Sequence, residues 1–162
     1  NMTSDYDDLD IWRGQPNPGT PPFDLLLRFC EQHPVAVKSS LPWMAAELSE
    51  SSGFDSMLNF VLSKSGTNVY VCHDRSRFNE SYGLSLTAKE HSILLTNADS
   101  RGAVLVPSAF GIFSALRRTA IMLYLSNGVS DREIARRCGA SLRAIKQERR
   151  RRRTDALSGI QP

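Results

Sequence analysis

Cysteine is scarce in this sequence and badly spaced for chemistry. Cys30, Cys72 and Cys138 are its only three, and none belongs to a CxxC pair, which argues against a disulfide framework or a zinc knuckle. Thiols so far apart fit a reducing compartment, so a cytoplasmic location is expected. Histidine is equally sparse. His33, His73 and His91 are scattered, and the adjacent Cys72 and His73 would point to opposite faces of a strand, which makes them poor co-ligands. No metal and no other cofactor is expected. A long apolar run is missing as well: "AFGIFSALRRTAIMLYL" is interrupted by Arg117 and Arg118 and is too short to span a bilayer. No secretory pattern is visible, so no membrane partner is expected. Also lacking are a Gly-rich phosphate loop, paired carboxylates and a nucleophile flanked by arginines. An enzyme is therefore not expected, including a serine recombinase, which could carry a C-terminal helix-turn-helix.

What the chain does have is charge, unevenly divided. Its net charge of +3 over 162 residues conceals 13 Lys and Arg against 4 Asp and Glu in residues 101–162, and 7 against 13 in residues 1–100. Such asymmetry concerns partners and not fold. It points the C-terminal part towards a polyanion, with double-stranded DNA the first candidate.

The pattern of apolar residues predicts a mainly α protein with a small β element. Residues 1–22 are acidic, then rich in Pro and Gly, and read as a poorly ordered arm, although Ile11 and Trp12 could dock onto the body or onto a partner. Residues 22–33 predict a first helix, ended by Pro34. Residues 41–66 predict two more, separated at Gly53, the second with Phe54, Met57, Leu58, Val61 and Leu62 at helical spacing. Residues 67–74 predict a strand. The polar stretch 74–86 reads as loop. Thr87 and Glu90 then form a capping-box signal for a short helix, residues 100–108 a second strand, and residues 109–125 a long helix stopped by Asn127 and Gly128. Phe54, Leu58, Val61 and Leu62 offer more apolar surface than one short strand can cover. With Val69 and Val71 they are expected to form a homodimer interface. The expected organisation is an arm over 1–22, a helical dimerisation domain with short strands over 23–107, a DNA-binding domain over 108–153 and a tail over 154–162.

The most specific signal lies in "NGVSDREIARRCGASLRAIKQERRRRR", residues 127–153. Ser130 and Glu133 make a second capping-box signal. Ile134, Ala135 and Cys138 share a helix face, Gly139 supplies a left-handed turn, Ser141 caps a second helix and Ile145 faces inward. Ala135, Gly139 and Ile145 have the spacing of a DNA-binding helix-turn-helix. In that geometry Ser141, Leu142, Arg143, Lys146 and Gln147 face base edges, with Arg143 and Lys146 suited to guanine and Gln147 to adenine. Arg132, Arg136, Arg137, Arg149, Arg150, Arg151, Arg152 and Arg153 would contact phosphates and hold the register. Glu148 stands where a third apolar anchor is common. The function expected is sequence-specific DNA binding by a transcription regulator.

Two segments resemble the Mor family of phage transcription activators. "GFDSMLNFVLSKSGTNVYV" is similar to that family's dimerisation helix, glycine turn and strand. "VLVPSAFGIFSALRRTAIMLYLSNGVSDREIARRCGASLRAIKQERRRR" is similar to its strand, proline, linker and C-terminal helix-turn-helix. The likeness covers residues 41–72 and 104–152, so 73–103 stands as an insertion and the first 40 residues as an addition. It implies a homodimer that binds an inverted repeat, activates transcription and contacts RNA polymerase. The helix-turn-helix is also similar to the DNA-binding unit of LuxR-type regulators. A phage DNA-packaging or assembly protein is the further alternative, since it too would need a DNA-gripping unit and self-association.

Overall fold

The structure is a computed structural model and describes residues 11–160, with side chains through residue 155. Among the described residues the chain is mainly α, with eight helices and a two-stranded antiparallel sheet. The helices are α1 (Pro21–Gln32), α2 (Pro34–Ser40), α3 (Trp43–Lys64), α4 (Arg75–Tyr82), α5 (Ala88–Thr96), α6 (Ala109–Ser126), α7 (Asp131–Cys138) and α8 (Leu142–Ile160); the strands are β1 (Asn68–Tyr70) and β2 (Ala103–Leu105). No described helix is long and apolar enough to cross a membrane.

The chain divides into two compact units, one of residues 27–115 and the other of the described parts of 1–26 and 116–162. This partition differs from the expected one, because the N-terminal segment belongs with the helix-turn-helix. Ile11 and Trp12 are buried, and Thr20 accepts the amide of Phe23 at 3.1 Å as α1 begins. Residues 11–22 are thus not a loose arm: burying two large apolar side chains, about 1.5–3 kcal/mol each, offsets the ordering of a Pro- and Gly-rich stretch. The remainder of the expected arm, residues 1–10, lies outside the described residues. At the other end, α8 runs through the expected tail as far as Ile160.

In the unit of residues 27–115, α3 bends where Gly53 takes φ 86° and ψ 164°, a conformation that carries a steric penalty for any residue with a Cβ. The two halves anticipated from the sequence are therefore present as one kinked helix. Beyond it, β1 and β2 pair with Val69 opposite Val104. Val69, Val71, Val104 and Val106 turn inward while Tyr70 and Leu105 remain exposed, the alternation of a sheet with one covered face.

The stretch 74–86 is not loop. Asp74 accepts the amide of Arg77 at 3.1 Å, Gly83 closes α4 in the left-handed region, and Phe78, Leu84 and Leu86 are buried. Residues of this stretch pack against α3 beside its apolar stripe. Phe60 meets the Tyr82 ring edge-on at 5.3 Å, Ser52 accepts the amide of Ser85 at 2.9 Å, and the Lys38 ammonium sits 5.7 Å from the Phe54 ring centre. Phe54, Leu58, Val61, Val69 and Val71 are consequently buried within a single chain, and Leu62 is half-buried. The dimer interface expected on these six residues is corrected accordingly. A surface already covered by the chain's own residues is not left to a second copy.

The capping box of α5 is complete. Thr87 accepts the Glu90 amide at 3.2 Å, and the Glu90 carboxylate accepts the Thr87 amide at 2.8 Å as well as the hydroxyl of Ser51. Burial alone would raise the Glu90 pKa, but these hydrogen bonds outweigh it and hold the group below the usual carboxylate range. His91 bonds the Cys72 carbonyl at 2.8 Å. Cys30 is buried and its thiol is pushed up to about 12, chiefly by desolvation, which leaves it inert.

Candidate nucleic-acid interface

In the second unit α6 ends in a left-handed turn. The Val129 amide donates to the Tyr124 carbonyl at 3.1 Å and the Gly128 amide to Leu125 at 3.2 Å, bonds that satisfy carbonyls a helix end leaves open. Ser130 then caps α7 by accepting the Glu133 amide at 3.3 Å. Only half of the expected capping box forms. The Glu133 carboxylate turns instead towards two arginines of its own helix, accepting from Arg136 Nε at 3.1 Å and Arg137 Nε at 3.0 Å. Charge-assisted pairs at i+3 and i+4 compete well with a reciprocal cap. Their hydrogen bonds hold the Glu133 pKa down at about 2.

Gly139 ends α7 with φ 61° and ψ 33°. A Cβ there would lie 3.4 Å from the carbonyl oxygen of Trp12, so the N-terminal segment touches the turn between the two helices. Ser141 starts α8 by accepting the Ala144 amide at 3.1 Å. Ile134, Cys138 and Ile145 are fully buried, Ala135 is half-buried, and α7 packs on α8. The expected helix-turn-helix core is therefore assembled as read from the sequence.

The expected base-reading residues fall on one surface. Arg143, Lys146 and Gln147 are exposed and occupy positions i, i+3 and i+4, which places them together on a helix face. Arg150, at i+7, is exposed too and extends the same stripe, and Arg153 follows one turn later. Ile145 lies opposite. Leu142, 40% exposed, and Ser141 stand at the helix start, although the Ser141 oxygen already accepts its capping bond.

The expected phosphate contacts separate into two kinds. Arg136 and Arg137 are paired with Glu133, and the Arg137 guanidinium also lies 5.2 Å from the Tyr124 ring centre. Arg149 pairs with Asp131, joining the start of α7 to α8. Arg151 reaches Glu148 at 3.5 Å, and Arg118 of α6 reaches the same carboxylate at 3.4 Å. Glu148 is thus an anchor of another kind: it fastens α8 to α6 by charge where an apolar residue would do so by packing. Arg132, Arg143, Arg150, Arg152 and Arg153 have no ion pair among the described residues. Arg152, seven residues after Ile145, follows the Ile145 side of the helix and leaves the stripe to its neighbours.

Sequence reasoning missed Asp131 and Arg118 as structural partners. Both pairings cross long separations for which no local spacing rule exists. Among the described residues, no group of three or more His, Cys, Asp or Glu side chains comes together to hold a metal ion. In comparisons with known proteins, the chain matches no family model, no curated protein and no solved structure.

Proposed function

We infer that this chain binds double-stranded DNA through α8 and acts as a sequence-specific transcription regulator. The observation that carries the reading is the basic and amide-bearing stripe of Arg143, Lys146, Gln147 and Arg150, exposed on α8 opposite an isoleucine buried in a glycine-hinged helix-turn-helix. A helix fits the major groove, where guanidinium and amide groups can pair with purine edges. Arg153 and Arg132 would meet phosphates on either side. An activator role with RNA polymerase as a second partner follows from the Mor-family resemblance, and such a role would place the protein in the cytoplasm. A covered α3 stripe favours no two-fold contact there, so the reading requires only one helix-turn-helix per binding event.

The test is selection from a pool of random duplexes at near-physiological salt. A regulator should enrich a defined motif, bound at least about 10³-fold more tightly than random DNA. Binding that enriches no motif would reduce α8 to an electrostatic grip. Failure to retain any duplex would overturn the reading.

A further inference from the structure

The first turn of α8 carries a side chain unlike those around it. Leu142 is 40% exposed, and it is followed at once by the exposed Arg143 and one turn later by the exposed Lys146. Among the described side chains of α7 and α8, it is the one large apolar group left open to solvent. At about 100° per residue, Leu142 lies about 40° round the helix from Lys146 and about 60° from the buried Ile145. It therefore stands on the border between the packed face and the basic stripe, which accounts for its partial exposure. We propose that Leu142 reads one 5-methylpyrimidine of the preferred duplex, thymine in ordinary DNA, through the methyl group at C5. The proposal rests on the DNA-binding reading given above and adds to it a contact that no cation can make.

The chemistry of the major groove leaves one partner for an aliphatic side chain. Guanine, adenine and cytosine present hydrogen-bonding atoms there, and thymine alone adds a methyl group. Pressed against a cytosine amino group or a guanine oxygen, leucine would strip water from that group and return no hydrogen bond, which carries a penalty. Pressed against a methyl, it removes apolar surface from water on both sides of the contact. The same side chain thus favours thymine and opposes cytosine. Position agrees with chemistry. The Ser141 oxygen accepts the Ala144 amide at 3.1 Å, which holds that hydroxyl at the backbone, so Leu142 and Arg143 are the side chains that the helix start presents. Consecutive Cα atoms are about 3.8 Å apart and successive base pairs about 3.4 Å. The thymine should therefore fall within about two base pairs of the position that Arg143 reads.

The test uses the full chain and the duplex selected from the random pool. Each thymine is replaced in turn by uracil, which removes the methyl group and keeps every hydrogen-bonding atom. One replacement per bound helix-turn-helix should weaken binding by roughly three- to fivefold, the effect of one methyl-sized apolar group. Putting a C·G pair in that place should weaken it further, and methylating the new cytosine at C5 should recover roughly the same three- to fivefold. In Leu142→Ala, which keeps a strong helix former at a partly exposed position, the thymine and uracil duplexes should bind alike. A preferred duplex with no uracil-sensitive position would overturn the inference and leave sequence-specific binding intact; the uracil series is read on the unaltered chain, so this outcome needs no variant. A sensitivity that persists in Leu142→Ala would overturn it too, by assigning the methyl contact to another residue. If the pool yields no preferred motif, the DNA-reading role beneath the inference fails and the inference falls with it.

Discussion

The buried carboxylate of one unit and the carboxylates of the other are held by different partners. In residues 27–115 Glu90 is turned inward, where it satisfies the Thr87 amide and the Ser51 hydroxyl, and the apolar stripe of α3 is covered by the chain's own residues. In the helix-turn-helix, Asp131, Glu133 and Glu148 hold five arginines on α6, α7 and α8, while the cations of the exposed stripe have no ion pair among the described residues. In one unit a buried carboxylate is satisfied by backbone and hydroxyl donors. The other fixes some of its cations in place and leaves the rest exposed.

A charge buried in either unit should have the largest effect. Leu58→Asp should unfold residues 27–115, at a cost of about 3–5 kcal/mol for an uncompensated buried charge, and should not give well-folded monomers. Circular dichroism on heating, together with sedimentation, would show it, and a folded variant that merely loses self-association would restore the α3 stripe as a dimer interface. Ile145→Asp should have a similar cost but remove DNA binding as well, since it lies beneath the stripe.

Gly139→Ala comes next. A left-handed backbone with a Cβ costs roughly 1–2 kcal/mol, so urea unfolding should show a loss of that size, with affinity falling for specific and random duplexes together because the turn positions all of α8. Smaller again are the effects that sort the arginine run. Arg150→Ala and Arg153→Ala should each flatten the salt dependence of binding by about one unit of slope, the amount expected when one phosphate is no longer neutralised. Arg149→Ala should leave the slope nearly unchanged and lower stability, as its partner is Asp131. Equal slopes for Arg149→Ala and Arg150→Ala would erase the distinction between held and presented cations.

The smallest effect concerns pH. Glu133 has its pKa lowered from 4.5 to about 2 by hydrogen bonds from Arg136 and Arg137. A folded-state pKa below the unfolded one means that its contribution to stability is fully present above pH 4.5 and is lost as pH falls through about 2. A carboxyl-carbon NMR titration should therefore find Glu133 still ionised at pH 3.5, when ordinary glutamates are mostly protonated. In Arg136→Ala that resonance should titrate at higher pH.

How much of this was legible in the sequence depends on the range of the interaction. Ser130, Gly139, Ser141 and Ile145 act within a turn or two of helix, and their spacing announced the helix-turn-helix. Thr87 and Glu90 likewise announced α5. The reading failed where distant residues decide. Nothing local pairs Asp131 with Arg149 or Arg118 with Glu148, and polar residues hid α4, whose single buried side chain is Phe78. The apolar stripe of α3 is likewise covered by residues distant in sequence, which no local pattern reveals, so the spacing alone suggests a second chain. Ile11 and Trp12 show the same limit, since composition marked their neighbourhood as loose while their burial makes it part of the core.

Whether α8 reads sequence is decided by Arg143→Ala. Competition titrations would compare preferred and random duplexes at one salt concentration. Removing a bidentate hydrogen-bonded pair with a base should cost about 1–3 kcal/mol on the preferred duplex and little on random DNA. Equal weakening on both would contradict the account and leave the stripe as a charged handle without a code.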